Sequence, residues 1–178
     1  MRWLMPLLLV GCAPKAPPLQ ATSPLPTVVA TAAASTDSRA ITAGPVALSD
    51  ALVETLAARN LTPALVDAAG YADAFAGQRT TAPRLRHLVT QADGAALLVL
   101  CEATPRFDSQ LNGRFRWVVA VTLSVSPTQD LDLVSTETFD VPVFLSFHHE
   151  REPEALAAAA PIVQRHLSRL LDGVLGGL

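Results

Sequence analysis

From Phe115 to Val125 every second residue is large and apolar: Phe115, Trp117, Val119, Val121, Leu123 and Val125, with Arg114, Arg116, Val118, Ala120, Thr122, Ser124 and Ser126 alternating with them. A period of two held this long puts one set of side chains on one side of an extended chain, which is a strand and not a helix. Asn112-Gly113 just ahead supplies turn residues for a hairpin, either as a tight two-residue turn or within a longer loop from Asp108. Ala95 to about Phe107 is the preceding strand, and its run Ala95-Ala96-Leu97-Leu98-Val99-Leu100-Cys101 is apolar enough to be buried on both faces. After a turn at Pro127 to Asp130, Leu131 to Phe147 returns as a third strand, with Leu133, Phe139, Val141, Val143 and Leu145 on one face. Pro142 donates no ladder hydrogen bond, so its end of that strand belongs at an edge or a bulge. The fold class this predicts is α+β, built on a three-stranded antiparallel meander that one or two short strands extend.

Two or three helices complete the layer. Ser49 is a candidate N-cap for a helix from about Asp50 to Arg59, whose apolar stripe is Leu48, Leu52, Val53, Leu56 and Ala57. Asn60 fits its C-terminal end, and Pro63 opens a short extended run, Ala64 to Asp67. Gly70 to Phe75 forms a further helical turn with Tyr71 and Phe75 on one side. Thr81 to Gln91 is amphipathic around Leu85, Leu88 and Val89, with Pro83 in the first turn and Asp93-Gly94 beyond the end. A long C-terminal helix runs from about Glu154 to Val174 along Leu156, Ala159, Ala160, Val163, Leu167, Leu170, Leu171 and Val174, and Pro161 either starts its firm part or kinks it.

The chain has 178 residues, half of them hydrophobic, and carries a net charge of -3. Loss of a leader containing Arg2 would take that to -4, so no overall basic field draws the chain to nucleic acid. Of two cysteines, Cys101 sits inside the apolar strand. It reads as a small buried hydrophobe with a raised thiol pKa rather than a nucleophile.

The N-terminus has a different character. Arg2, the apolar run Trp3 to Val10 and the small residue Gly11 ahead of Cys12 have the order of a bacterial export signal. The run is shorter than the ~20 residues that span a bilayer, and Pro6 interrupts it. Leu9-Val10-Gly11-Cys12 resembles the lipobox of bacterial lipoproteins. That resemblance implies cleavage between Gly11 and Cys12, a diacylglyceryl group on the Cys12 thiol and attachment to a membrane. Ala13 in place of aspartate resembles the sorting signal for the outer membrane. From Ala13 to about Pro45 the sequence is rich in Pro, Ala, Thr and Ser, which reads as a tether reaching on the order of 100 Å when stretched and about 30 Å when relaxed. Thr27 to Ala34 is the one piece of it that could instead pair as an edge strand. The expected organisation is a signal peptide over residues 1–11, a lipidated tether over 12–45 and a single α+β domain over 46–178.

Chemistry-bearing clusters are few. His148, His149, Glu150 and Glu152 have metal-ligand character and His166 could join them, yet adjacent histidines in an extended chain point to opposite faces, and a solvated loop explains them as well. The sequence contains no phosphate-binding Gly-rich loop, zincin motif, nucleophile elbow or paired CxxC, so no enzyme, metal or cofactor is expected. Arg106, Arg114 and Arg116 flank the first hairpin around Asp108. They either contact an acidic partner or keep a strand edge soluble.

The order helix, short strand, helix, Ala92-Asp93-Gly94-Ala95, long meander and C-terminal helix resembles one group of envelope domains. These are the lipoprotein activators of penicillin-binding proteins, the curli-secretion lipoprotein and the N-terminal domain of the Tol-system periplasmic protein. The resemblance spans about Val46 to Leu175, with two departures: the usual first strand is missing or hidden in the tether, and the amphipathic segments of a membrane pore are absent. It implies a non-catalytic periplasmic module that presents a surface to an envelope protein. The alternatives are a structural or transport component that assembles a ring through its sheet edge, and a hydrolase or metal protein using His148, His149 and Glu150.

Overall fold

Residues 21, 23–35, 41–66, 81–91, 94–146 and 151–176 are described by a computed structural model. In chain order the elements are β1 (Leu25–Ala34), β2 (Ile41–Ala43), α1 (Val46–Ala57), β3 (Leu61–Leu65), α2 (Thr81–Gln91), β4 (Leu97–Leu111), β5 (Arg114–Pro127), a 3-10 turn (Leu131–Leu133), β6 (Ser135–Leu145) and α3 (Glu152–Leu175). The class is α+β.

β4, β5 and β6 form the antiparallel meander that the alternation of Phe115 to Val125 predicts. Asn112 (φ 50°) and Gly113 (φ 75°) both take left-handed backbone between strands that end at Leu111 and restart at Arg114, a two-residue turn whose twist matches the strands. Of the two forms open to this turn, the tight one is taken and not the longer loop from Asp108. Asp108 instead makes a bulge, where the register shifts between Phe107 and Ser109. The third strand starts later than expected, because Leu131–Leu133 coils into the 3-10 turn and leaves Leu133 62% exposed.

The expectation of a three-stranded sheet with short additions needs a larger correction. Among the described residues the sheet has six strands and is mixed: β1 runs parallel to β4 along Thr27–Ala33, and β2 and β3 share its other side. Thr27 to Ala34 is thus part of an inner strand and not of a tether or an edge. β1 is buried along nearly its whole length, so both of its faces are small or β-branched and no alternation betrays it. The folded sheet therefore starts at Leu25, well before Val46, and the tether expected over residues 12–45 gives up Leu25–Ala34 and Ile41–Ala43 to it.

One face of the sheet is covered by α1 and α3, with Val99, Cys101, Val121, Leu123 and Val141 packed against Leu52, Leu56, Val163 and Leu167. Cys101 is fully buried there, and desolvation pushes its thiol up to about 12. On the opposite face α2 covers only the β1–β4 half, where Leu85 and Leu88 meet Val28, Ala30, Ala32, Leu98 and Leu100. The β5–β6 half of that face is polar, with Thr122 against Thr138 at 3.3 Å and Ser124 against Thr136 at 3.1 Å.

The helices follow their apolar stripes with adjusted ends. α1 begins at Val46 behind Pro45, so Ser49 is not its N-cap; Ser49 Oγ lies inside the helix, 2.9 Å from Thr31 Oγ1 of β1. Asn60 adopts left-handed backbone (φ 61°) just past the helix, as its C-terminal role requires. α2 has the expected bounds. α3 runs through Pro161, which lies on its exposed side, and the Glu154 carboxylate accepts the Arg151 N–H at 2.9 Å to close its first turn. The turn expected at Gly70 to Phe75 lies outside the described residues.

Candidate functional site

The β4–β5 hairpin is longer than anything beside it on the β1 side. β1 leaves β4 at Ala103, so among the described residues Thr104–Leu111 is paired on one side only, with β5. In this upper part the sheet register decides which side chains share a face. Arg106 faces Val118, Ser109 faces Arg116 and Leu111 faces Arg114, while β6 sets Pro142 opposite Val118 and Phe144 opposite Arg116. All of these lie on the face away from α1 and α3.

Three guanidinium groups therefore converge on one surface. The bulged Asp108 sits between two of them, with Oδ1 4.0 Å from Arg106 Nη1 and Oδ2 3.4 Å from Arg116 Nε; Ser109 Oγ donates to Oδ2 at 3.1 Å. The Arg106 and Arg116 side chains are 52% and 39% exposed, so these pairs contribute little to stability and act mainly to hold the guanidiniums in place. Arg114 is exposed beside the turn. Two apolar side chains stand among them, Leu111 at 49% and Phe144 at 52% exposure. Behind this surface, on the other face, Phe107 meets Trp117 edge-on at 5.7 Å between ring centroids, which stiffens the hairpin.

The sequence singles out Arg106, Arg114 and Arg116, and the fold brings all three together. Phe144 escapes sequence reading because it lies on the polar side of its strand; its signal is a lone aromatic at the exposed phase of Thr136, Thr138, Asp140 and Pro142. Next to Pro105, where β1 ends, a cleft of about 180 Å³ is lined by Ala33, Thr42, Pro45, Glu152 and Leu156.

His148, His149 and Glu150 lie outside the described residues, as do Gly11 and Cys12. His166 does not join Glu152. It sits about 20 Å further along α3, stacked on Phe139 at 3.6 Å with Nδ1 2.7 Å from Glu137 Oε1, a contact that ties α3 to β6. Among the described residues no group of three or more His, Cys, Asp or Glu is placed to hold a metal ion. No helix among them is long and apolar enough to cross a membrane.

The hairpin stands at one end of the domain and Ala21 lies at the other. The Ala21 N–H donates to the Arg59 carbonyl at 3.0 Å, and Asn60 Nδ2 donates to the Ala21 carbonyl at 3.2 Å. Arg59 in turn holds the C-terminal turns of α3. From that end β4 climbs from Leu97 to Leu111, about 45 Å at ~3.3 Å per residue.

No family model matches the chain, and no curated protein does. Several solved structures are similar to it. The PelC dodecamer from Paraburkholderia phytofirmans aligns at 17% identity and a TM-score of 0.46, over 88% of this chain and 93% of that one. Protein XCC0632 from Xanthomonas campestris, of family DUF330, aligns at 15% and 0.43, over 92% and 91%. Lipoprotein GNA1162 from Neisseria meningitidis aligns at 12% and 0.40, over 82% and 99%. Likenesses this distant assign the chain neither a family nor an activity.

Proposed function

We propose that this protein is a lipid-anchored envelope module that binds another envelope protein and catalyses no reaction. Cys12 is the anchor and the β4–β5 hairpin, with Arg106, Arg114 and Arg116, is the contact. The observation that carries this reading is that Ala21 and the hairpin turn lie at opposite ends: Ala21 is bonded to Arg59 and Asn60, and the hairpin turn lies a full strand length away. Nine peptide units separate Cys12 from Ala21, at most about 30 Å of chain. A membrane holding Cys12 therefore stays near the Arg59 end and leaves the hairpin facing away from it. The long leash of a fully extended tether is shortened by the strand that starts at Leu25. Outer-membrane placement facing the periplasm belongs to this proposal, on the resemblance of Ala13 to a sorting signal. Two or more acyl chains make such attachment slow to reverse.

Binding through strand addition is opposed by the edges. Among the described residues, the free sides of the sheet carry Pro63 on β3, Pro105 on β4 and Pro142 on β6, and β2 is three residues long. Prolines and bulges blunt strand pairing, so the partner docks against a face, and a ring closed edge to edge is disfavoured.

Fractionation of cells tests the anchor. The wild-type chain stays with membranes after a high-salt wash, and Cys12→Ala moves it to the soluble fraction while its circular dichroism is unchanged. Retention of Cys12→Ala after the wash would overturn the lipid-anchored reading.

A further inference from the structure

We infer that the hairpin surface is specific for a protein partner with an acidic patch around an apolar centre, docked flat on the β4–β5–β6 face; this rests on the interaction-module reading above. The charge argument comes first. The chain as a whole is negative, at -3, yet Arg106, Arg114 and Arg116 gather within eleven residues with Asp108 as the one carboxylate among them. Asp108 is engaged with Arg106 and Arg116 and orders them, which leaves a fixed positive surface on a negative molecule. Such a local reversal of sign steers an anionic partner to this end and repels a basic one.

The apolar side chains decide what kind of anion. Phe144 and Leu111 are each about half exposed on the same face as the arginines, with Phe144 directly across the ladder from Arg116. A small anion or a nucleic-acid backbone gains nothing from an exposed leucine. A protein surface does, because exposed aromatic and arginine side chains with an apolar centre and a charged rim are what concentrates binding energy in protein interfaces. The face is also preformed. The two-residue turn at Asn112-Gly113 and the Phe107–Trp117 pair fix the hairpin from the other side, so little ordering cost is added on docking. Pro105 and the Asp108 bulge keep the partner off the strand edge and on this face.

Photocrosslinking in the native envelope tests this with the full-length chain. A photoreactive amino acid is placed at Leu111, at Phe144 and, as a control on the same face at the far end of β6, at Thr136. The expected result is one protein adduct shared by positions 111 and 144 and absent at 136, whose crosslinked peptide is rich in Asp and Glu. Arg114→Glu alone lowers that adduct at least threefold, and Arg106→Glu/Arg114→Glu/Arg116→Glu at least tenfold, whereas the triple lysine variant keeps most of it. Arg114 has no role in the Asp108 ion pairs, so its variant separates lost charge from lost folding. Adducts at 136 in place of 111 and 144, a crosslinked peptide without acidic residues, a lipid or glycan adduct, or an adduct indifferent to the glutamate variants would overturn the inference while leaving the module reading intact. No protein adduct from any of the three positions, nor from positions spread over α1 and α3, would overturn both.

Discussion

Arg59, at the end of α1, reaches Asp172 near the end of α3: its Nη2 lies 3.1 Å from the carboxylate and also donates to the Ser168 carbonyl at 3.0 Å. Arg59 is only 3% exposed, and its Nε has no hydrogen-bond partner among the described residues. The guanidinium is therefore buried with its charge answered mainly by one half-exposed carboxylate. Asp172→Ala is expected to cost about 2 kcal/mol, because it strips a buried cation of its counter-charge. Arg59→Met removes the cation as well as the need for a partner and is expected to cost less than Asp172→Ala. Urea unfolding of the two variants checks the order; a larger loss in Arg59→Met would contradict it.

Gly44 is held against Thr31 for lack of room. A Cβ at Gly44 would stand 2.8 Å from Thr31 Cβ and 2.9 Å from its Oγ1, and the Gly44 N–H already donates to the Thr31 carbonyl at 3.1 Å. Gly44→Ala is expected to destabilise the domain by about 1–3 kcal/mol through overpacking, as a fall in the thermal midpoint. The double variant Gly44→Ala/Thr31→Ser should not recover it, since the obstructing Cβ remains.

The hairpin turn makes a sharper distinction between two neighbouring glycine-like positions. Asn112 at φ 50° tolerates replacement by Asp or Gly, while Gly113 at φ 75° has nothing within 4 Å of an added Cβ and is constrained by backbone angle alone. Gly113→Val is expected to cost at least about 1 kcal/mol, more than Gly113→Asn. Chemical denaturation of both variants reads this directly, and equal losses would mean that the turn is not a two-residue one.

Cys101 gives the protein an alkaline weakness. Its thiol rises from 9.0 to about 12 on folding, so below pH 9 both states keep the proton and nothing is lost. Between pH 9 and 12 the unfolded chain releases that proton and the folded one does not, and stability falls by about 1.4 kcal/mol per pH unit. The chain has a single tyrosine, and Lys15 is its one lysine, so few other groups titrate there. Urea midpoints at pH 8 and pH 10.5 should separate for the wild type and lie closer together for Cys101→Val. The same burial predicts that a thiol reagent labels Cys101 only on unfolding.

The sequence is most readable where burial is one-sided. β5, α2 and α3 each have a wet side and a dry side, and the period of their apolar residues places them to within a few positions. β1 is wet on neither side: Val28, Val29, Ala30, Ala32 and Ala33 are all buried, so its sequence carries no alternation, and alanine is a poor marker of a strand. Arg59 was equally hidden, since a guanidinium at a helix end looks like a solvent residue until α3 closes over it. At the candidate site the three arginines were legible from their closeness along the chain. Their joining to Phe144 was not, because β6 meets β5 only through the register of the ladder.

The parallel pairing of β1 sets the timing of folding. In a chain made from its N-terminus, Leu25–Ala34 arrives early, yet Thr27 must wait for Leu97, seventy positions later, before it has a neighbour on that side. Such distant pairings form slowly, because the loop between them has to close before any hydrogen bond repays it. Until β4 is in place, the side of β1 that faces it stays unpaired, and the Leu25 end of the sheet is held only through β3.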